Sequence, residues 1–400
     1  MTAPTRPPPT YPFAPASGMD PPDKLAELRA SEPVSRVEFD GGPAWLLTRH
    51  ADIRAVLVDP RFAPHIPGVP MQVDKANNTG MLFIMHGAPH GRLRQVLARA
   101  LSARRVFALR PGVQRLADAA LARLTAHGPP ADLMRGFAGP LAAGTLSELL
   151  GVALRERPGF EEMITGVNAL FTAQNAADAA ERGQELAAFL ARLIAERRTE
   201  PGPDLLSELI TATDQHGTAL TAPEVHGLTF SLLGAGLVPP AQALALGALR
   251  LLLDPAAAAA LRQEPGRLPT AVEELLRLDP AGAGSTDRAV RAVADVEIAG
   301  VRISVGEVVV LPFGAANRDP AEFHEPNTLR LDRATNRHVS FAPGLHHCLG
   351  AALARLQLEI GIGTLLAGLP ALAVATDIHT LDWQHGMLGA RNLATLPVTW

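Results

Sequence analysis

Residues 341–350 read Phe341-Ala342-Pro343-Gly344-Leu345-His346-His347-Cys348-Leu349-Gly350. Cys348 is the only cysteine of the chain, and this segment lies between an irregular loop and the start of a predicted helix. A thiolate at such a place is favoured by the positive end of the helix and by free backbone N–H groups. Glycines at 344 and 350 let the backbone lie close to a flat ligand. A lone cysteine is more often buried and inert, so only the spacing of its neighbours indicates a reactive role.

The pattern Phe-x-x-Gly-x-His-x-Cys-x-Gly resembles the haem-binding signature of the cytochrome P450 family. This resemblance implies that Cys348 is the axial iron ligand of haem b (iron protoporphyrin IX). It further implies that Phe341 packs near the thiolate, that His346 meets a haem propionate and that Gly350 belongs to the cofactor site. An axial thiolate pushes electron density onto iron and favours O–O cleavage. The implied protein is a haem-thiolate oxidoreductase.

A carboxylate and a guanidinium at Glu274 and Arg277 stand at i, i+3 on one predicted helix. Pairs at this spacing are ordinary on helix surfaces. In their order along the chain, however, they resemble the family's ExxR pair, with Arg333 as the third member. The resemblance implies that these three residues are structural and hold the loop before the cysteine. Residues 315–320, Ala-Ala-Asn-Arg-Asp-Pro, resemble another family segment, with a plain turn as the alternative.

His90 and Arg94 resemble the family's H-x-x-x-R segment and lie four residues apart on a predicted helix, so they face one way. Cationic donors suit the carboxylates of haem propionates. The family also has a propionate-binding arginine just before the strand region, where the spacing in this chain is altered. We choose Arg288 for that role and keep Arg291 as its competitor.

His86 and His90 suggest an alternative, a metal-binding histidine pair. Gly87 and Pro89 make a regular helix through both residues unfavourable, and no carboxylate follows in a zinc-type arrangement. We therefore discount a metal site there.

The long predicted helix departs from the family pattern at Ala235, Gly236, Val238, Pro239 and Pro240, which are expected near the oxygen site. Relatives carry an acid and a threonine that help to deliver protons, but here these positions are Val238 and Pro239, which cannot donate a proton. Both prolines lack an N–H, so the carbonyls of Ala235 and Gly236 lose their helix partners and a kink is expected. These carbonyls could hold an ordered water or a substrate hydroxyl, or the enzyme works with water alone. No residue of this helix is a certain catalytic group.

The resemblance implies monooxygenation, by hydroxylation or epoxidation, of a mid-sized hydrophobic molecule in secondary metabolism. Ferredoxin and ferredoxin reductase are the implied electron donors. The missing acid and alcohol leave oxidative coupling or cyclisation, and peroxide-driven oxidation, as alternatives. In peroxide-using relatives an arginine anchors a substrate carboxylate where Val238 stands here. A haem-based sensor without turnover and a haem-free structural protein are alternatives of other classes. The largely apolar segments 81–85, 167–176 and 233–237 are expected to line the pocket.

The composition restricts the class of protein further. The chain has 400 residues, of which 47% are apolar, and a formal net charge of −4. This charge argues against a general nucleic-acid binder. One cysteine excludes an internal disulfide and fits a reducing cytosol. We expect a cytoplasmic monomer that binds a small-molecule substrate but neither nucleic acid nor membrane.

The chain divides into a proline-rich lead, residues 1–21, and one large domain, residues 22–400. The lead lacks an apolar h-region and is expected to be flexible. Residues 225–249 are long enough to cross a bilayer and carry no charge while His226 is neutral. Their glycines, polar residues and prolines favour a helix that is buried on all sides.

The fold class expected is mainly α with a smaller β region, a cytochrome P450-like fold. Periodicity predicts helices at 51–57, 89–124, 183–198, 221–253, 269–278 and 350–366. It predicts strands at 44–48, 296–298, 301–303, 308–311 and 393–400, with irregular chain at 316–343.

Overall fold

The computed structural model describes residues 7–14, 19–66, 72–73, 80–151, 176–280, 287–385 and 391–400. In these ranges the helices are α1 (Asp23–Ser31), α2 (His50–Val58), α3 (Gly87–Ala100), α4 (Ala103–Ala108), α5 (Arg110–His127), α6 (Gly139–Leu150), α7 (Ala176–Thr199), α8 (Leu205–Thr211), α9 (Ala222–Leu252), α10 (Pro255–Gln263), α11 (Leu268–Leu278), α12 (Phe313–Ala316) and α13 (Ala351–Gly368). The strands are β1 (Val34–Phe39), β2 (Gly42–Leu47), β3 (Phe62–His65), β4 (Gln72–Val73), β5 (Met85–His86), β6 (Ala131–Asp132), β7 (Asp287–Ala292), β8 (Val296–Ile298), β9 (Val301–Ile303), β10 (Val308–Pro312), β11 (Ala373–Val374), β12 (Trp383–His385), β13 (Arg391–Leu393) and β14 (Pro397–Thr399). The expected fold class, mainly α with a smaller β region, is confirmed.

The largest sheet has the strand order β1-β2-β10-β7-β3. Strands β2 and β10 are parallel, with Val309 opposite Trp45, and the other neighbours are antiparallel. Alternate side chains of a strand face opposite sides of the sheet, and on one side Val309 shares a buried cluster with Ile53 of α2. Ala299 and Gly300 join β8 to β9 with positive φ angles of 50° and 79°, as a tight primed turn requires. The predicted strands at 296–311 are therefore confirmed.

Helix α9 is the centre of the helical layer and belongs to the main buried cluster together with residues of α6 and α13. Thr221 and Glu224 cap its first turn reciprocally, since each side chain accepts a hydrogen bond from the other residue's backbone N–H. Among the helices that the structure describes, α9 and α13 are long and apolar enough to span a membrane. In their most apolar stretches 72% and 61% of the residues are buried inside the protein, which is usual for core helices. The prediction of a core helix at 225–249 is confirmed, but the helix is not buried on all sides, because Ala235 is exposed.

Two expectations differ from the structure in detail. The helical pattern at 89–124 is divided into α3, α4 and α5, and Pro111 stands in the first turn of α5, where its missing N–H costs nothing. The strand expected at 393–400 is two short strands, β13 and β14. Helix α9 continues through Pro239 and Pro240, in agreement with the single helix predicted over 221–253, because a buried helix is held from outside by its packing as well as by its own hydrogen bonds.

Part of the lead that was expected to be flexible is packed against the sheet. The Tyr11 N–H donates to the carbonyl of Glu38 in β1 at 2.8 Å. The Tyr11 ring is 4% exposed and lies edge-on to Phe13, with ring centroids 5.1 Å apart. An aromatic ring provides enough apolar area to anchor a proline-rich segment, so residues 7–14 do not behave as a free lead.

Candidate active site

Residues 341–350 form a compact loop that ends where α13 begins. The Cys348 N–H donates to the Phe341 carbonyl at 2.8 Å, and the His347 N–H donates to the Gly344 carbonyl at 3.1 Å. Gly344 has a φ of 97°, and a Cβ at this position would lie 2.3 Å from the carbonyl oxygen of Leu57. Only glycine fits there. The loop thus brings the thiol to the N-terminal end of α13.

The surroundings of the Cys348 sulfur combine burial with positive charge. Burial raises the pKa of the thiol, whereas the Gly350 N–H and the guanidinium groups of Arg94, Arg288 and Arg355 act to lower it. Part of the residue's surface nevertheless remains exposed. A metal ion deprotonates a coordinating thiol outright, so a raised pKa in the free protein does not oppose iron binding. The donor and its charges fit a thiolate ligand.

Four hydrogen-bond-donating side chains gather beside this loop: His90, Arg94, Arg288 and His346. The rings of His90 and His346 lie 4.2 Å apart. Burial, reinforced by Arg94, lowers the pKa of His90 to about 4. Burial, reinforced by His90, lowers the pKa of His346 to about 2. Within the described ranges, no carboxylate shifts the pKa of Arg94 or Arg288. The negatively charged group that acts on both guanidinium groups is the thiolate form of Cys348. A group of donors without an anion of its own fits the two carboxylates of haem propionates.

The structure separates the two arginines that compete for the propionate role. Arg288 and Arg291 lie three residues apart on β7, so they face opposite sides of the sheet. Arg288 is on the side of the cysteine loop, where it influences the pKa of Cys348, His90 and His346. Arg291 donates to the Gly306 carbonyl at 2.5 Å and lies 3.3 Å from a ring nitrogen of His65. The geometry favours Arg288.

His86 belongs to this group as well, although the sequence points to no such role. Its ring stacks on His346 with centroids 5.6 Å apart and 16° between the planes. Its Nδ1 lies 3.3 Å from His346 Nε2, and its Nε2 lies 2.8 Å from the Pro60 carbonyl. Both nitrogens are thus engaged, and the described residues contain no group of three or more side chains able to hold a metal ion. The contacts of His86 indicate that it supports the ring of His346.

The residues matching the ExxR pair and its third member form one buried network. Arg277 donates to the Glu274 carboxylate from Nε and Nη2, both at 2.7 Å, and neither side chain is exposed. The Nε of Arg333 lies 3.1 and 3.0 Å from the two Glu274 oxygens. The other guanidinium N–H groups donate to backbone carbonyls of Asn317, His324, Glu325, Pro326 and Thr328. The three side chains therefore tie α11 to the irregular segment that leads to the cysteine.

A second connection, which the sequence did not indicate, runs from α11 to α13. Arg355 donates to the Glu273 carboxylate from Nε at 2.6 Å and from Nη2 at 2.8 Å. The Arg355 guanidinium also covers the Phe341 ring at 4.5 Å from its centroid. On the sequence, Glu273 is an ordinary polar residue of an amphipathic helix. Its partner stands 82 residues away, so only folding brings them together.

Asn317 fixes the chain just before the cysteine loop. It is fully buried, its Oδ1 accepts the Val339 N–H at 2.8 Å, and its Nδ2 donates to the Ser340 hydroxyl at 2.9 Å. The segment 315–320 is therefore more than a plain turn, since it sets the position of Phe341 through these two hydrogen bonds.

The middle of α9 exposes a narrow strip. Ala235 is exposed and Pro239, one turn later, is half-buried, whereas Leu237 and Val238 are buried. Val238, at the family's acid position, is thus part of the main buried cluster. This strip, formed by Ala235 and Pro239, has no side-chain proton donor.

The pocket segments are only partly described. Residues 167–175, predicted to line it, lie outside the described residues. Phe83, from the predicted segment 81–85, stacks on Phe230 of α9 with centroids 6.4 Å apart. This contact connects the segment 81–85 to the helix that carries the exposed strip.

Comparison with known proteins agrees with this geometry. The family profile "Cytochrome P450" matches residues 163–370. The chain is 37% identical to nocardicin C N-oxygenase of Nocardia uniformis subsp. tsuyamanensis over 98% of both chains. It is also 37% identical to mycinamicin IV hydroxylase/epoxidase of Micromonospora griseorubida, over 98% of this chain and 99% of that one. The crystal structure of CYP105P1 in complex with filipin I is similar with a TM-score of 0.90 and 36% identity, over 98% of this chain and 99% of that chain. With its cysteine loop, its buried ExxR network and these relatives, the chain belongs to the cytochrome P450 family.

Proposed function

We propose that this cytochrome P450 carries out monooxygenation, by hydroxylation or epoxidation, of a mid-sized hydrophobic molecule in secondary metabolism. The observation that carries the proposal is the thiol of Cys348, held by the loop at the start of α13 among three guanidinium groups. Relatives that are 37% identical include an N-oxygenase and a hydroxylase/epoxidase of natural products. The exposed strip of α9 and the stacked Phe83 and Phe230 suit an apolar substrate.

The cofactor of this family is haem b, and the residues of this chain fit it. Cys348 would hold the iron, and Arg94, Arg288, His90 and His346 would hold the propionates through charge-assisted hydrogen bonds. A thiolate-bound haem supplies the iron at which O–O cleavage is favoured. Both histidines are neutral at pH 7 in the free protein, with pKa values of about 4 and about 2. A carboxylate placed beside them would raise these values again.

The protein's own residues position the cofactor and the substrate. The Arg355 guanidinium covers the ring of Phe341, the first residue of the cysteine loop, and so helps to fix that end of the loop. Glu274, Arg277 and Arg333 hold the preceding segment, which keeps the loop in one conformation. Val238 and Pro239 provide no proton, so protons for the reaction come from water or from a group of the substrate.

The missing acid and alcohol also favour a second candidate function. Oxidative coupling or cyclisation, and peroxide-driven oxidation, both dispense with a proton relay on α9. If the protein is a monooxygenase, ferredoxin and ferredoxin reductase would supply its electrons. The enzyme would then act in the cytoplasm as a monomer. A haem-based sensor would bind haem in the same way but would not turn over with these donors or with peroxide.

The test is the absorbance spectrum of the reduced, carbon-monoxide-bound protein. Wild type should show the Soret position of a thiolate-bound haem, and Cys348→Ser should lose it. Leu345→Ser is the matched control, because Leu345 lies on the same loop and is 48% exposed. A wild-type spectrum without the thiolate band, or a Cys348→Ser protein that retains it, would overturn the proposal.

A further inference from the structure

Two successive prolines remove both the i+4 and the i+5 backbone donor of one carbonyl in α9. In an α-helix the carbonyl of residue i accepts from the N–H of residue i+4, and a carbonyl that loses this bond can sometimes use i+5. For Ala235 these positions are Pro239 and Pro240, and neither has an N–H. Gly236 loses only its i+4 donor, since Ala241 still carries an N–H at i+5. Ala235 is therefore the residue whose carbonyl has no donor at either position.

Ala235 lies on the accessible side of the helix. Residues i and i+4 share one face of a helix, and here they are the exposed Ala235 and the half-buried Pro239. The adjacent Leu237 and Val238 are buried in the core. Gly236 faces α6 instead, where a Cβ would lie 3.0 Å from Leu146 Cδ1. A ligand on the strip can thus reach the Ala235 carbonyl, whereas Gly236 faces the side chain of Leu146.

The nearby hydroxyls of the same helix are already committed. Ser231 donates to the Gly227 carbonyl at 2.8 Å, and Thr229 donates to the Val225 carbonyl at 2.8 Å. Carbonyls removed from water in folded proteins are almost always paired, because an unpaired one is costly. When an apolar substrate covers the strip, a donor has to come from that substrate or from a water molecule trapped beside it.

We propose that the Ala235 carbonyl is a hydrogen-bond acceptor for the substrate, which is therefore a hydrophobic molecule bearing an O–H or N–H group close to the atom that is oxidised. This inference rests on the proposed function and narrows its substrate class. It also explains how a helix without an acid or an alcohol orients its substrate. The backbone carbonyl accepts a hydrogen bond at the place where relatives present a side-chain proton donor.

Two isomeric probes test the proposal without turnover. 4-Phenylimidazole keeps a free N–H when its other ring nitrogen binds iron, whereas 1-phenylimidazole has none. Each is titrated into the haem-loaded protein and followed by the Soret absorbance, and the ratio of the two affinities is compared between variants. Pro239→Ala gives the Ala235 carbonyl an N–H within the helix, so the preference for 4-phenylimidazole should fall about three- to tenfold. Pro240→Ala restores the i+4 bond of Gly236 and offers Ala235 only the longer i+5 donor, so the ratio should fall less than in Pro239→Ala and stay within about twofold of wild type.

An unchanged ratio in Pro239→Ala would overturn the proposal, and so would an equal fall in both variants, since that would be a general effect of removing either proline. Pro239→Gly provides the same N–H and replaces the alanine variant if the latter does not retain haem. The carbon-monoxide spectrum of each variant distinguishes a failure of this inference from a failure of the proposed function. A thiolate band with an unchanged ratio refutes this inference alone, whereas a wild type without the band refutes the proposed function.

Discussion

The carboxylate of Glu274 and the guanidinium of Arg277 form a bidentate ion pair with two hydrogen bonds of 2.7 Å, and neither side chain is exposed. Arg333 shares the same carboxylate, so one anion balances two guanidinium groups inside the protein. Charges in such a place are stable only while every partner is present. The network is therefore a sensitive point of the fold that holds the cysteine loop.

Replacing Glu274 by glutamine should destabilise the protein strongly. The variant keeps the shape but leaves Arg277 and Arg333 without their anion, which we expect to reduce the free energy of unfolding by about 3–5 kcal/mol. Urea unfolding measures the change. Lys24→Ala is the control, because Lys24 and Glu27 form an i, i+3 pair of similar length, 2.8 Å, on the surface. Its removal should cost under about 1 kcal/mol, and a Glu274→Gln cost in that range would contradict the prediction.

The stability of the free protein should fall in acid through Glu273. Burial raises the pKa of this carboxyl, but hydrogen bonds from Arg355 and His338 outweigh burial and lower the pKa from 4.5 to about 2. A lowered folded-state pKa contributes stability that is fully present above pH 4.5 and is lost as the pH falls towards 2. Glu273→Gln should flatten the stability profile in this window. The surface variant Glu27→Gln should follow wild type, and parallel profiles for Glu273→Gln and wild type would refute the assignment.

Arg288 and Arg291 should differ in their effect on haem retention. Arg288→Ala removes a donor beside the cysteine loop, whereas Arg291→Ala removes contacts on the other side of β7. We expect haem transfer to apomyoglobin to be roughly tenfold faster or more for Arg288→Ala, the cost of one charged hydrogen bond. Arg291→Ala should lose haem at the wild-type rate. The reverse order would assign the propionate to Arg291.

His86 should act on the haem through His346. His86→Phe keeps a ring stacked on His346 but removes the hydrogen bonds to His346 and to the Pro60 carbonyl. The midpoint reduction potential should shift and haem should be lost faster, because His346 can then turn away from the propionate that we propose it binds. His379→Phe, at an exposed position, is the control. A potential equal to that of wild type would show that His86 only fills space.

Restoring the acid and the alcohol on α9 should change how electrons are used. The double variant Val238→Asp with Pro239→Thr places a carboxyl and a hydroxyl at the positions where relatives carry them. With ferredoxin and its reductase, less hydrogen peroxide should be released for each NADPH consumed. An unchanged peroxide yield and product pattern would mean that proton supply is independent of these two positions. Pro240→Ala controls for the effect of removing a proline.

The amino-acid sequence alone determined the features that depend on short spacing. Cys348 with its flanking glycines, the pair Glu274 and Arg277, and the pair His90 and Arg94 each lie within ten residues of chain. Helix geometry and loop sterics place such groups relative to each other before any packing. The missing acid and alcohol and the two missing N–H groups of α9 are likewise readable from Val238, Pro239 and Pro240, since they follow from the covalent structure of those residues.

The tertiary structure alone decided which distant groups meet. The pairing of β7 with its neighbours turned Arg288 towards the cysteine loop and Arg291 away from it. His86 and His346 stand 260 residues apart and still share a hydrogen bond. The packing of α13 against α11 brought Arg355 to Glu273. Such contacts depend on sheet register and helix packing, which the whole core sets together, so no local pattern of residues encodes them.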